Sequence, residues 1–269
     1  MRIKYESGST PLHRLNPLAK LLVLVAYSVS IFTFYGLEVE LFFFLAMLLG
    51  IVLLRSRALL SLVTSRYFIS FAVLIVAVQA LFTRGGETLV SVPLLLLTID
   101  VTTNGVLTGL VIAFRFLTII MASAIFIFTT DPNELAYSLM RAGLPYRFGF
   151  MLVTAIRFIP VFESEAGTVR NAQVARGLDI DHGGARGIVK MARYTLMPLI
   201  VSALSKVDVL VISMEGRAFG DKKTRTFTRT VRFGALDALL CIGAIAIAAL
   251  FVLNAWLGLF TLPHFIIYR

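Results

Sequence analysis

The chain has 269 residues, of which 58% are apolar and 15% are charged, and its mean hydropathy is +0.90. Soluble domains are about 45–50% apolar and about 25% charged, so this composition excludes a soluble globular enzyme and predicts a membrane protein. The formal net charge is nevertheless +10. Because lysine and arginine are costly in the hydrocarbon layer, a part of the chain outside the bilayer must carry the excess.

Five apolar segments are predicted to cross the membrane, since about 20 apolar residues span its hydrocarbon layer. In chain order they are Leu18–Tyr35, Leu37–Leu54, Tyr67–Phe82, Asn104–Phe128 and Gly234–Trp256. The stretch Leu89–Thr98 is too short to cross and contains Pro93, which predicts an interfacial or partly re-entrant loop. With a cytoplasmic amino terminus, the short loops place seven Lys and Arg residues inside and one outside, in agreement with the positive-inside rule.

The positive charge is concentrated in residues 141–232, which contain fifteen Lys and Arg against seven Asp and Glu. We therefore predict an all-α, polytopic protein of the cell membrane in three parts. Residues 1–128 form a membrane domain of about four helices, residues 129–232 form a cytoplasmic helical domain, and residues 233–269 form a last span with its tail.

Residues that cap or end helices predict the helices of the cytoplasmic domain. Asp131 is suited to cap a helix that begins at Pro132, and Gly143 with Pro145 ends it, which gives a short helix over 132–142. Two longer helices are predicted over Tyr146–Arg176 and Gly187–Arg217.

The last of these helices poses the main question of topology, because its part Tyr194–Met214 is long enough to span a bilayer. Lys206 and Asp208 fall in its middle, and each costs about 2.5–3.5 kcal/mol on insertion scales. An amphipathic helix lying against the membrane or against other helices is the favoured interpretation, and a sixth span is the alternative.

The sequence lacks the residue spacings that are typical of catalytic, nucleotide-binding or metal-binding sites. No Gly-Lys dipeptide occurs, so there is no Walker A loop for a nucleotide, and His13, His182 and His264 have no metal-ligand spacing. The arginines of the basic block, residues 141–232, alternate with apolar helix positions. This pattern favours a membrane-adjacent role over nucleic-acid binding. We expect no catalytic residue, no metal site and no cofactor in this chain.

Two arginines are distinguished by their position at the ends of the long helices. They lie in Ala175-Arg176-Gly177 and in Gly216-Arg217-Ala218. A cation there complements the helix dipole, an effect worth about 0.3–1 kcal/mol. Alternatively, the small neighbours let each guanidinium project into a partner's groove and pair with a carboxylate through two hydrogen bonds.

Two features of the fourth span leave their roles open. Gly105, Gly109 and Ala113 form a stripe of small residues that allows close approach of helix backbones, within this chain or from another membrane subunit. Arg115 lies near the middle of the span, where a charge indicates either a function or a packed pairing with an inner polar group.

Five segments in order carry a family resemblance. The first, Ser9–Leu21, is similar to an HRLDP-x-x-KL opening with Asn16 in place of the usual Asp; the others are Thr129–Pro132, Arg157–Pro160, Ala172–Gly177 and Met214–Gly220. Together they resemble the transmembrane T component of energy-coupling factor (ECF) transporters, the EcfT/CbiQ-type family.

The resemblance implies a non-catalytic coupling subunit of an ABC importer for vitamins or transition-metal ions. Its partners would be two ABC-type ATPase subunits, which bind the ATP, and a small membrane S component, which binds the substrate. Ala175-Arg176-Gly177 and Gly216-Arg217-Ala218 would dock on the ATPases, although the second has its glycine before the arginine. Gly105, Gly109, Ala113 and Arg115 would serve S-component docking or helix packing.

Two other functions are compatible with the residues alone. A polytopic membrane enzyme acting on anionic lipid would place the basic block at the headgroups. A permease subunit that binds substrate itself would use Arg115 as a ligand.

Overall fold

The computed structural model describes residues 11–33, 36–54, 57–83, 85–94, 97–177, 184–220 and 233–257. Within these ranges almost all of the regular structure is helical, so the predicted all-α class is confirmed. The elements are α1 Pro11–Arg14, α2 Pro17–Thr33, α3 Leu37–Leu54, α4 Arg57–Val63, α5 Arg66–Phe82, β1 Thr88–Leu94, β2 Leu97–Thr102, α6 Thr103–Thr129, α7 Pro132–Arg141, α8 Tyr146–Ala175, α9 Gly184–Glu215 and α10 Ala235–Leu257.

The chain divides into two compact units. The membrane unit consists of Met1–Leu135 and Val231–Arg269, and the inserted unit is Ala136–Thr230. The domain boundaries predicted after residues 128 and 232 stay a prediction.

The membrane unit is built around α6, which contacts α2, α3, α4 and α5. In α6 44% of the most apolar stretch is buried, against at most 11% in the other described helices long enough to span a membrane. Met121 of α6 is fully buried against a cluster that includes Ile51 and Leu59. The most buried of several apolar helices is expected at the centre of a bundle.

Length and apolar composition identify five described segments that could cross a membrane. They are Leu37–Leu54, Leu59–Phe82, Thr103–Thr129, Ala192–Glu215 and Ala235–Asn254. The set differs from the predicted one: α2 is a shorter apolar helix of 17 residues, and the set includes most of α9, where Lys206 and Asp208 favour an interfacial position. That position for α9 stays a prediction.

The loop predicted at Leu89–Thr98 is instead a β-hairpin. Strand β1 pairs antiparallel with β2, with Val92 opposite Ile99 and an irregularity between Thr88 and Val90. The segment is rich in β-branched residues, which favour extended backbone. Pairing also satisfies the backbone groups that an isolated loop at the membrane would leave without partners.

The short helix of the prediction is confirmed, because both of its signals act as expected. The Asp131 carboxylate accepts a hydrogen bond of 2.9 Å from the Asn133 N–H, as an N-cap does. Gly143 has φ +117°, and the Leu144 N–H donates to the Leu139 carbonyl at 3.0 Å. This is a Schellman ending, in which glycine takes a left-handed conformation.

Helices α8 and α9 form an antiparallel pair within the inserted unit. Near the start of α8, the Phe150 ring lies 4.7 Å from that of Phe219, which follows α9. Near the end of α8, the Gln173 side-chain amide donates to the Tyr194 carbonyl at 3.3 Å. The beginning of one helix therefore lies beside the end of the other.

Candidate functional site

The first candidate arginine stands directly after the last residue of α8. The Arg176 N–H donates to the carbonyls of Ala172 and Gln173, and the Gly177 N–H donates to the Val174 carbonyl at 2.9 Å. Gly177 has φ +79°, which a residue with a side chain adopts only at a cost. Ala175, Arg176 and Gly177 are all exposed, so the Arg176 side chain is accessible at the capped end of α8.

The second candidate arginine occupies the equivalent position after α9. The Ala218 N–H donates to the Glu215 carbonyl at 2.9 Å, and the Phe219 N–H donates to the Met214 carbonyl at 3.0 Å. This is again a Schellman ending, with Arg217 at the C-cap. Here the left-handed residue is Ala218, at φ +51°. The shifted glycine of this motif therefore leaves an alanine where the first motif has Gly177.

The antiparallel arrangement separates the two arginines. Helices α8 and α9 have 30 and 32 residues, and a helix of that length extends roughly 45 Å. Arg176 and Arg217 are at opposite ends of this pair. Among the described residues neither guanidinium has a carboxylate within ion-pair distance.

Polar contacts between α8 and α9 hold the pair together at its middle. The Lys206 ammonium donates to Glu165 Oε2 at 2.7 Å, and the Ser202 hydroxyl donates to Oε1 at 2.9 Å. These two hydrogen bonds and the positive charge lower the pKa of Glu165. Lys206, one of the two charges in the apolar part of α9, thus has its counter-ion on α8.

Arg115 of the membrane unit is paired inside the bundle. Its Nε donates to Glu40 Oε1 at 2.8 Å, the two side chains are 5% and 1% exposed, and the guanidinium lies 5.6 Å from the Phe32 ring centroid. Sequence reasoning missed Glu40. The signal was present, because a buried arginine requires an anion and Glu40 lies in the first turn of an apolar helix.

The small residues of α6 are used within the chain. A Cβ on Gly105 would lie 3.0 Å from the Thr83 carbonyl oxygen, and one on Gly109 would lie 3.0 Å from the Val76 Cα. Ala113 of the same stripe is buried. Contact with α5 therefore accounts for the two glycines.

The amino-terminal motif joins three helix ends of the membrane unit. The Asn16 side chain caps α2 by accepting from the Leu18 N–H, and the Asn16 N–H donates to the buried Asp237 carboxylate at 2.9 Å. The Lys20 ammonium donates to the Thr129 carbonyl at the end of α6 at 2.7 Å. The motif thus ties α2 to the end of α6 and the start of α10.

The model of the CbiQ family, described as "Cobalt transport protein", matches residues 8–227. The chain belongs to this family. It is 31% identical over 258 residues to the energy-coupling factor transporter transmembrane protein EcfT of Lactococcus lactis, covering 93% of this chain and 96% of the relative.

Other relatives agree over a similar share of the chain. The EcfT protein of Listeria innocua is 31% identical over 257 residues, covering 92% of this chain and 95% of the relative. That of Streptococcus equi is 29% identical, covering 89% and 90%. The family member described here is therefore a multi-pass transmembrane component of an ECF transporter and not a catalytic enzyme.

Proposed function

We propose that this T component transmits ATP-driven motion of two ABC-type ATPase subunits to a small substrate-binding S component, for uptake of vitamins or transition-metal ions. The observation that carries the proposal is the matched placement of Arg176 and Arg217. Both are exposed C-cap residues, and the pairing of α8 with α9 puts them at opposite ends of one unit. Two arginines so far apart fit two ATPase subunits better than one.

The local chemistry suits docking. A guanidinium pairs with a carboxylate through two parallel hydrogen bonds when nothing crowds its plane. Each arginine has small residues on both sides, and the left-handed turn that follows directs the chain away from the helix axis. Neither arginine has an ion pair among the described residues, so docking at these ends breaks no pair within that part of the chain.

Transmission requires that α8 and α9 move together. The Glu165, Ser202 and Lys206 contacts at the middle, and the aromatic contact of Phe150 with Phe219 at one end, link the two helices. Closure of the ATPases would then move both helix ends that carry the arginines. The reoriented unit would present a different surface to the S component. Coupling of this kind needs each nucleotide state to favour a different arrangement. The ATP is bound by the partner subunits.

The test is charge reversal at the two helix ends. Arg176→Glu and Arg217→Glu should each reduce co-purification of the ATPase subunits about tenfold, because a hydrogen bond to a charged group contributes about 1.5–3 kcal/mol. Uptake should fall in parallel, while membrane insertion stays normal. Arg193→Glu is the matched control, since Arg193 is an exposed arginine within α9 that is not a C-cap residue.

Two results would contradict the proposal. One is a double variant that keeps its ATPase subunits and its uptake. The other is an equal loss in Arg193→Glu, which would indicate a general effect of negative charge. Identification of the co-purified S component would define the cargo. Direct substrate binding by Arg115 is not favoured, because that guanidinium is buried and paired with Glu40.

A further inference from the structure

The inserted unit contains a groove between α7, α8 and α9 with a volume of about 880 Å³. Sites for small molecules have volumes of about 300–1,000 Å³. Its walls are mostly apolar, and aromatic side chains cluster on it: Tyr137, Tyr146, Phe150, Phe158 and Phe219. The aliphatic part is formed by Val153, Val161, Val209 and Leu210.

The charges of the groove are all positive among its described lining residues. They belong to Arg157, Lys206 and Arg217, and none of the described lining residues is Asp or Glu. Lys206 is neutralised by Glu165 of α8 at 2.7 Å. Arg157 and Arg217 have no carboxylate within ion-pair distance among the described residues. An occupant that complements the groove is therefore anionic at one part and apolar at another.

Helix α9, which forms one wall of the groove, indicates the environment in which the groove lies. The segment Ala192–Glu215 is apolar enough to span a membrane, yet none of it is buried in the chain. With Lys206 and Asp208 in its middle, such a helix is suited to the membrane interface, where phospholipid headgroups are. A groove beside a helix in that position is within reach of those headgroups.

We propose that the groove binds an anionic phospholipid, with its phosphate on Arg157 and its acyl chains along the aromatic and aliphatic walls. Arg157 belongs to the Arg157–Pro160 motif, which the ATPase contacts leave without a role. Arg157 lies within α8 and is not one of the proposed docking residues. Arg217 also lines the groove, so the lipid test changes Arg157 and leaves both docking arginines unchanged.

The test measures lipid binding to the full chain in neutral detergent by native mass spectrometry, with phosphatidylglycerol and phosphatidylcholine of the same acyl chains. The chain should bind phosphatidylglycerol about tenfold more tightly, and Arg157→Ala should remove most of that preference. Arg147→Ala is the matched control, because Arg147 is an exposed arginine of the same helix that does not line the groove. It should change the affinity less than twofold.

The apolar part is tested separately. Val209→Trp should fill the groove and weaken binding of both lipids, without a change in charge. Equal affinity for the two lipids, or equal losses in Arg157→Ala and Arg147→Ala, would overturn the proposal.

A partner protein is the competing occupant. Maleimide labelling of Ser213→Cys distinguishes it, since the native Cys241 is 7% exposed and Ser213 lines the groove. Phosphatidylglycerol should slow the labelling of the chain alone. Protection that requires a partner subunit and does not respond to this lipid would instead assign the groove to an acidic protein segment.

Discussion

The membrane unit and the inserted unit differ in the burial of their polar side chains. In the membrane unit Asn16, Lys20, Glu40, Arg115 and Asp237 are all buried and all hydrogen-bonded to other parts of that unit. In the inserted unit the two helix-end arginines are exposed, and the Glu165–Lys206 pair is about one-third exposed. The first unit joins its helices with buried charges, whereas the second joins α8 and α9 with a partly exposed pair and keeps its two helix-end arginines exposed.

The apolar residues show the same contrast. Helix α6 is the most buried of the long apolar helices, while α9 exposes large side chains such as Met197, Val201 and Ile212, each about two-thirds accessible. A helix pair with so much apolar surface needs lipid or a partner subunit to cover it. The membrane unit therefore has a core of its own, and the inserted unit depends on its surroundings.

The largest effect is expected from breaking the buried pair of the membrane unit. Arg115→Met leaves Glu40 charged and unpaired in the bundle, which should lower the free energy of unfolding by about 3–5 kcal/mol. Adding Glu40→Leu should restore most of the loss, because an apolar pair needs no counter-ion. Unfolding in mixed detergent micelles measures both, and a double variant no more stable than Arg115→Met would contradict the pairing.

A smaller loss should follow a single added methyl between α5 and α6. Gly109→Ala places a Cβ 3.0 Å from the Val76 Cα and should cost about 1–3 kcal/mol through overpacking. Gly243→Ala is the matched control, since a Cβ at Gly243 of α10 meets nothing within 4 Å. It should stabilise its helix by about 0.5–1 kcal/mol. Equal effects of the two changes in the same unfolding assay would argue against the close packing.

The two helix ends of the inserted unit predict opposite responses to exchange of glycine and alanine. Ala218→Gly should relieve the left-handed strain and stabilise the end of α9 by about 1 kcal/mol, whereas Gly177→Ala should destabilise the end of α8 by a similar amount. Hydrogen exchange of the last turn of each helix measures the change. Slower exchange after Gly177→Ala would contradict the equivalence of the two ends.

The smallest effect is expected from the partly exposed pair of α8 and α9. Because Lys206 and Ser202 lower the pKa of Glu165 from its ordinary 4.5, the pair stabilises the folded state above that value. This contribution is lost as the pH falls through the lowered pKa. Unfolding measured between pH 7 and pH 3 should show this loss in the wild type and not in Glu165→Gln. Identical pH profiles would indicate that the contact contributes nothing.

Much of the secondary structure could be predicted, because its signals are local. Asp131, Gly143 and Gly177 end or begin helices through bonds to residues two to five positions away, and they act as expected. The hairpin of β1 and β2 was missed because a short apolar run with one proline also fits a loop. The spans were harder to assign, since α2 is short and α9 combines apolar length with two charges.

The sequence by itself determined the membrane class, the helix ends and the position of Arg176 and Arg217 after two long helices. It also singled out Arg115 and the small residues of α6. Only the tertiary structure decided what they contact: Glu40 is 75 positions from Arg115, and Val76 faces Gly109 from another helix. It also decided that the two arginines lie at opposite ends of one helix pair. Helix caps are fixed by neighbouring residues, whereas such pairings depend on how helix faces pack, and periodicity alone does not specify which faces meet.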